Sequence, residues 1–147
     1  MTDEAYQQRT GRFAAMLIKQ AAWPAVIVLA CDGFAPLVAS ARGALHAPIA
    51  VLALLVAAAS AVVVLGISAL LALDVLLFRL MASHDNERSG CGAVDDLLAR
   101  MRLRPAPSSP RPLDDRVAGT RRLLARQRIT FAIFVIAFLT AGFWMPR

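Results

Sequence analysis

Two aspartates, Asp32 and Asp74, stand in apolar surroundings, and four potential metal ligands, His84, Asp85, Glu87 and Cys91, crowd into eight residues further along. An ionisable group inside a bilayer is costly, and where it persists it marks an ion or proton path, a partnered charge or a helix end. The ligand cluster carries less. Zinc sites present paired Cys or His at short fixed spacings, whereas here one of each stands in a turn-like SHDNERSGCG. No metal is therefore expected. The chain shows no glycine-rich phosphate loop, nucleophile elbow or zinc-protease helix, so no catalytic residue, no cofactor and no enzymatic activity are expected either. Cys31 and Cys91 cannot form a disulfide framework, and Cys31, in apolar sequence, reads as a packing residue with little thiolate.

What positions Asp32 and Asp74 is a set of apolar segments, the clearest of which is Ala47 to Leu73, 27 residues without a charge. A helix apolar all round suits a bilayer, where unsatisfied backbone groups cannot face hydrocarbon. At a rise of 1.5 Å per residue it spans about 40 Å, more than the ~30 Å hydrocarbon core, so it tilts or carries its last turns into the interface. The second crossing is placed at 47–78, with Asp74 marking its cytoplasmic end. The first is placed at 20–41, with Trp23 at an interface and Pro24 in a first turn. Two arrangements accommodate Asp32. Either it faces a protein interior, or the helix starts near Phe13 and ends at Asp32-Gly33, with Lys19 reaching back to the interface. A third crossing, 129–145, has Phe131, Phe134 and Phe138 on one face and Trp144 at its far end.

The connections follow. Residues 1–19 form an N-terminal segment in which Tyr6, Phe13, Met16 and Leu17 fall near one helical face, fit for an interfacial helix or a solvated tail. Residues 42–46 make a short outer loop, so the first two crossings are an antiparallel hairpin. The basic loop 79–128 contains an amphipathic helix at 93–103, on which Val94, Leu97, Leu98 and Met101 share a face. Asp95 and Asp96 fall in its first turn and Arg100 and Arg102 near its end, matching the helix dipole. The proline-rich spacer 105–112 cannot be helical. A further helix begins at Leu113 to Asp115 and runs unbroken into the last crossing. The fold class is thus an all-α membrane protein with three transmembrane helices.

Charge sets orientation. Of 16 Lys and Arg, fourteen lie in the N-terminal segment and the 79–128 loop, leaving Arg42 and Arg147 on the other side. The positive-inside rule then puts the N-terminus and the loop in the cytoplasm and the C-terminus outside. The formal charge of +6 is a topology signal, and without aromatic or motif support it does not point to nucleic acid. Arg100, Arg102, Arg104, Arg121 and Arg122 are candidate contacts for anionic lipid at about 1 kcal/mol each. Fifteen arginines to one lysine fit the coding bias of a GC-rich bacterium, and hence an inner-membrane location. No removable signal peptide is expected.

Small residues give the last pattern. Ala50, Ala53, Ala57 and Ala61 share one face of the second helix, and Gly66, Ala69 and Ala72 lie along another; such rows let helices approach closely. In size and crossings the chain resembles phage holins and accessory subunits of membrane complexes, a likeness of shape carried by no motif. Small-residue rows, a cytoplasmic amphipathic module and absent catalytic constellations favour a non-enzymatic accessory, scaffolding or assembly subunit. Its partners would be membrane lipid and other membrane subunits or further copies of itself. The alternative is a small homo-oligomeric pore or transporter, holin-like or proton-coupled, with Asp32 and the alanine row at its centre.

Overall fold

The computed structural model describes residues 3–41, 47–102 and 112–144. The link 42–46, Arg104 and most of the proline run lie outside them. Among the described residues the chain is all-helical: α1 (Asp3–Ala41), α2 (Pro48–Ala82), α3 (Glu87–Arg100) and α4 (Leu113–Trp144). Three stretches, Ala5–Leu37, Pro48–Ala82 and Leu113–Phe143, are long and apolar enough to cross a membrane. The residues group into two compact units, Met1–Gln20 with Leu70–Leu123, and Ala21–Ala69 with Leu124–Arg147. Each of α1, α2 and α4 contributes a stretch to both.

In the second unit the inward positions recur at spacings of three and four. They are Ala21, Pro24 and Val28 on α1, Ala50, Ala53, Ala57, Ala61 and Val64 on α2, and Phe134, Ala137 and Ala141 on α4. That 3.5-residue period keeps one seam of each helix facing its neighbours, as in a left-handed coiled coil. Ala57, Ala61 and Val64 pack with Val28, Phe134 and Ala137, so the small side chains of α2 leave room for an aromatic ring. Phe134 stacks on Phe131 and Phe138 at centroid distances of 6.2 and 5.7 Å, and Trp23 meets Phe131 edge-on at 4.9 Å.

Three expectations change here. The helix does not end at Asp32-Gly33, because α1 continues to Ala41 through Pro24, Pro36 and the pair itself. A broken helix would leave backbone groups unpaired in an apolar setting, and that costs more than a tolerated proline. Residues 3–19 of the N-terminal segment are part of the same helix, not a separate one or a tail. Gly66 stands exposed, as do Ala69 and Ala72, and a Cβ on Gly66 would meet nothing within 4 Å.

The first unit packs Tyr6, Thr10, Ala14 and Leu17 of α1 inward, along with Leu71, Val75, Phe78 and Met81 of α2. Phe13 meets Phe78 edge-on at 4.9 Å, while Met16, grouped by spacing with Tyr6, Phe13 and Leu17, is exposed. Here α3 begins at Glu87, six residues before its expected start at 93. The Asn86 side chain accepts the Ser89 N–H at 2.9 Å, an N-cap that nucleates a helix in a stretch whose two glycines suggest a turn. Its buried face is Gly90, Cys91, Val94 and Asp95, a turn earlier than expected, and Met101 is an exposed C-cap. Small residues permit the approach: a Cβ on Gly90 would lie 2.5 Å from Tyr6 Oη and 3.0 Å from the Met81 carbonyl. Arg102 then takes φ 55°, the left-handed conformation that closes many helices.

Candidate functional site

The charged residues that the first unit buries come from α2, α3 and α4. Arg116 Nη2 donates to Asp95 Oδ1 at 2.6 Å, with the two side chains only 12% and 7% exposed, and it also reaches the Cys91 carbonyl at 3.5 Å. One turn along α4, the Thr120 hydroxyl lies 2.8 Å from Asp74 Oδ2 and 3.1 Å from the Arg116 carbonyl. Its single proton serves the shorter contact. Burying Arg116 is tolerable only because a carboxylate meets it; an uncompensated charge there would cost several kcal/mol, about 3–5. The layer borders a cavity of about 310 Å³ lined by Asp74, Asp115, Arg116, Thr120, Leu98 and Phe78 among others.

The surrounding contacts hold α3 in place. Tyr6 Oη donates to the Met81 carbonyl at 3.4 Å, Gln7 Nε2 to the His84 carbonyl at 3.4 Å, and Glu87 Oε1 accepts the Leu113 N–H at 2.9 Å. The four ligand-type residues therefore disperse. His84 Nδ1 contacts the Leu80 carbonyl, Glu87 serves α4, Asp85 is exposed and Cys91 is buried. Among the described residues no group of three His, Cys, Asp or Glu gathers as metal ligands do. Burial pushes the Cys91 thiol above its ordinary value of 9.0, with Arg116 pulling more weakly the other way. The layer combines two carboxylates, a guanidinium and a hydroxyl around a cavity, a set that holds charge and water.

In the second unit Asp32 is half-buried at the edge of a cleft of about 290 Å³ lined also by Pro36, Leu54, Ala57 and Phe138. It has no hydrogen-bond or ion-pair partner among the described residues. The structure thus brings Asp32 beside the alanine row, whereas Asp74 belongs to the charged layer of the first unit. Ala50, Ala53, Ala57 and Ala61 are all buried. Of the arginines singled out for lipid, Arg100, Arg102, Arg121 and Arg122 are exposed.

One feature of the second unit has no counterpart in the sequence reading. Gln127 is fully buried, and its amide donates to the Ala21 carbonyl at 3.1 Å and to Ser68 Oγ at 2.7 Å. Ser68 in turn gives its own proton to the Val64 carbonyl at 2.7 Å. Both amide hydrogens are therefore used, which settles the amide's orientation, and Gln127 Oε1 is left without a donor. The weak signal available beforehand was a lone glutamine facing the apolar period of α4, among arginines that point outward.

No family model matches the chain, and neither a curated protein nor a solved structure matches it.

Proposed function

We propose that this chain is a small, non-enzymatic, three-pass protein of a bacterial inner membrane that serves as an accessory, scaffolding or assembly subunit of a larger membrane complex. The N-terminus and the 79–128 region face the cytoplasm, and the C-terminus faces outward, with α3 as a cytoplasmic amphipathic module. The observation that carries this reading is the Arg116–Asp95 pair, with the Glu87–Leu113 contact beside it. Together they fasten α3 to α4 as an ordered platform, the kind of surface that a scaffold presents. The filled core around Val28, Ala57, Val64 and Phe134 supports the same reading, because within that unit the seam is closed by side chains.

The runner-up, a homo-oligomeric pore or proton-coupled transporter, is favoured by one observation, the open cleft at Asp32. Two experiments separate these readings. Alkaline phosphatase fused after Arg147 should be active outside the cytoplasm, and the same fusion within 105–112 inactive; the reverse pattern overturns the orientation. The purified protein should conduct no ions in liposomes, with or without a pH gradient, and should co-purify in mild detergent at fixed stoichiometry with other membrane subunits. Ion flux that Asp32→Asn abolishes overturns the scaffold in favour of the pore.

A further inference from the structure

In the first unit, α1 and α4 enclose a groove of about 430 Å³ whose lining divides by chemistry. Arg9, Arg12 and Arg121 border it, and Phe13, Met16 and Phe78 line its apolar part. Arg9 is already tied to Asp114 at 2.7 Å. Among the described residues Arg12 and Arg121 make no ion pair, so two permanently charged forks face the same opening. A guanidinium engages a phosphate through paired charge-assisted hydrogen bonds, and at a membrane surface it does so most favourably with an anionic headgroup.

We infer that this groove binds one anionic phospholipid, with its phosphate between Arg12 and Arg121 and an acyl chain along Phe13, Met16 and Phe78. The apolar lining argues against a free anion, which would leave that surface wet and unused. The Phe13–Phe78 edge-to-face contact at 4.9 Å gives the lining a fixed shape, against which a flexible chain packs without ordering the protein further. The site differs from the arginines of α3, which are exposed and line no part of this groove. The inference rests on the membrane reading of the chain, since Arg12 and Arg121 then stand at headgroup level beside apolar helix.

The test uses the full-length protein, delipidated in detergent, with bound lipid read by native mass spectrometry. Phosphatidylglycerol, phosphatidylcholine and inorganic phosphate are offered separately and in competition. One phosphatidylglycerol should bind at least about tenfold more tightly than phosphatidylcholine, and inorganic phosphate should not displace it. Arg12→Gln with Arg121→Gln should abolish the preference, and Met16→Asp should weaken binding of the whole lipid. Arg126→Gln, exposed on the same helix but outside the groove, should leave it intact. All these side chains are exposed, so each variant should keep the helical content and unfolding temperature of the parent. Equal binding of the two lipids, displacement by phosphate, or an equal loss in Arg126→Gln would overturn the inference. Because the measurement is made in detergent, it succeeds or fails independently of the fusion and flux experiments.

Discussion

Glu87, the first residue of α3, accepts the backbone N–H of Leu113, the first residue of α4, at 2.9 Å. One carboxylate thereby serves two helix starts. It lies in the first turn of α3, where negative charge complements the helix dipole, and it takes up one of the donors that α4 leaves unpaired at its own start. The 26-residue separation means that this single contact closes the segment carrying α3 onto the helix that follows it.

Glu87→Ala should cost about 0.5–2 kcal/mol, the range for losing a helix cap, and Glu87→Gln clearly less, because the amide oxygen still accepts. Thermal unfolding in detergent measures the cost, and proteolysis within 101–112 should quicken in the alanine variant alone. Equal stability of the alanine variant and the parent would remove Glu87 from the account.

The Arg116–Asp95 pair makes a sharper test. Removing one partner strands a buried charge, so Asp95→Leu or Arg116→Met alone should destabilise by about 3–5 kcal/mol. The double substitution should cost less than the sum, since neither member of the pair is left charged without the other, and Asp74 keeps its Thr120 hydrogen bond. A double-mutant cycle by chemical denaturation reads this directly; additive losses would mean that the two groups do not depend on one another.

Ala57 tests the seam in the other unit. It is 2% exposed, packed with Val28 and Phe134, so Ala57→Leu should overpack the contact by about 1–3 kcal/mol. Ala57→Gly loses only helix propensity, about 1 kcal/mol or less. Thermal-shift assays should separate the two, and equal tolerance would mean that this face looks at lipid.

Cys91 supplies a pH prediction. Its folded value is raised by burial, so the folded state holds the thiol proton more tightly than the unfolded chain, whose thiol titrates near 9.0. The thiol's share of stability is then complete below about pH 9 and declines as pH rises through the folded value. In a Cys31→Ala background, alkylation should be slow at pH 7 and 8 compared with the unfolded chain, and unfolding midpoints should fall only on the alkaline side. Rapid alkylation of the folded protein at pH 7 would contradict the burial.

What the sequence made legible was local and periodic. The charge-free run 47–73 announces α2, and the alanine spacing places four buried positions on a single face. The continuous helix from Leu113 through the last crossing was visible because no breaker interrupts it. What escaped was set by contacts between distant residues. Asp95 looked like a first-turn acid because Gly90 and Gly92 disguised the helix start, while its partner Arg116 lies 21 residues away with no local mark of the pairing. Asp32-Gly33 and Pro36 left two arrangements open, since glycine and proline weaken or end helices in water. In an apolar medium the same residues remain helical, since no solvent waits to receive the freed backbone groups.

Gln127 makes the gentlest-looking substitution in α4 one of the most damaging. A glutamate is nearly its isostere and stands one base change away in the genetic code, yet it brings at most one proton to a place that consumes two. Charged, it would repel both the Ala21 carbonyl and the Ser68 oxygen; protonated, it would still leave one of them without a donor. Leucine, which resembles glutamine far less, disturbs the helix-to-helix contact by omission alone and introduces no charge. At this position, then, chemical resemblance and structural harm run in opposite directions: of two replacements each a single base away, the one that looks more like glutamine is the one that this fold tolerates less.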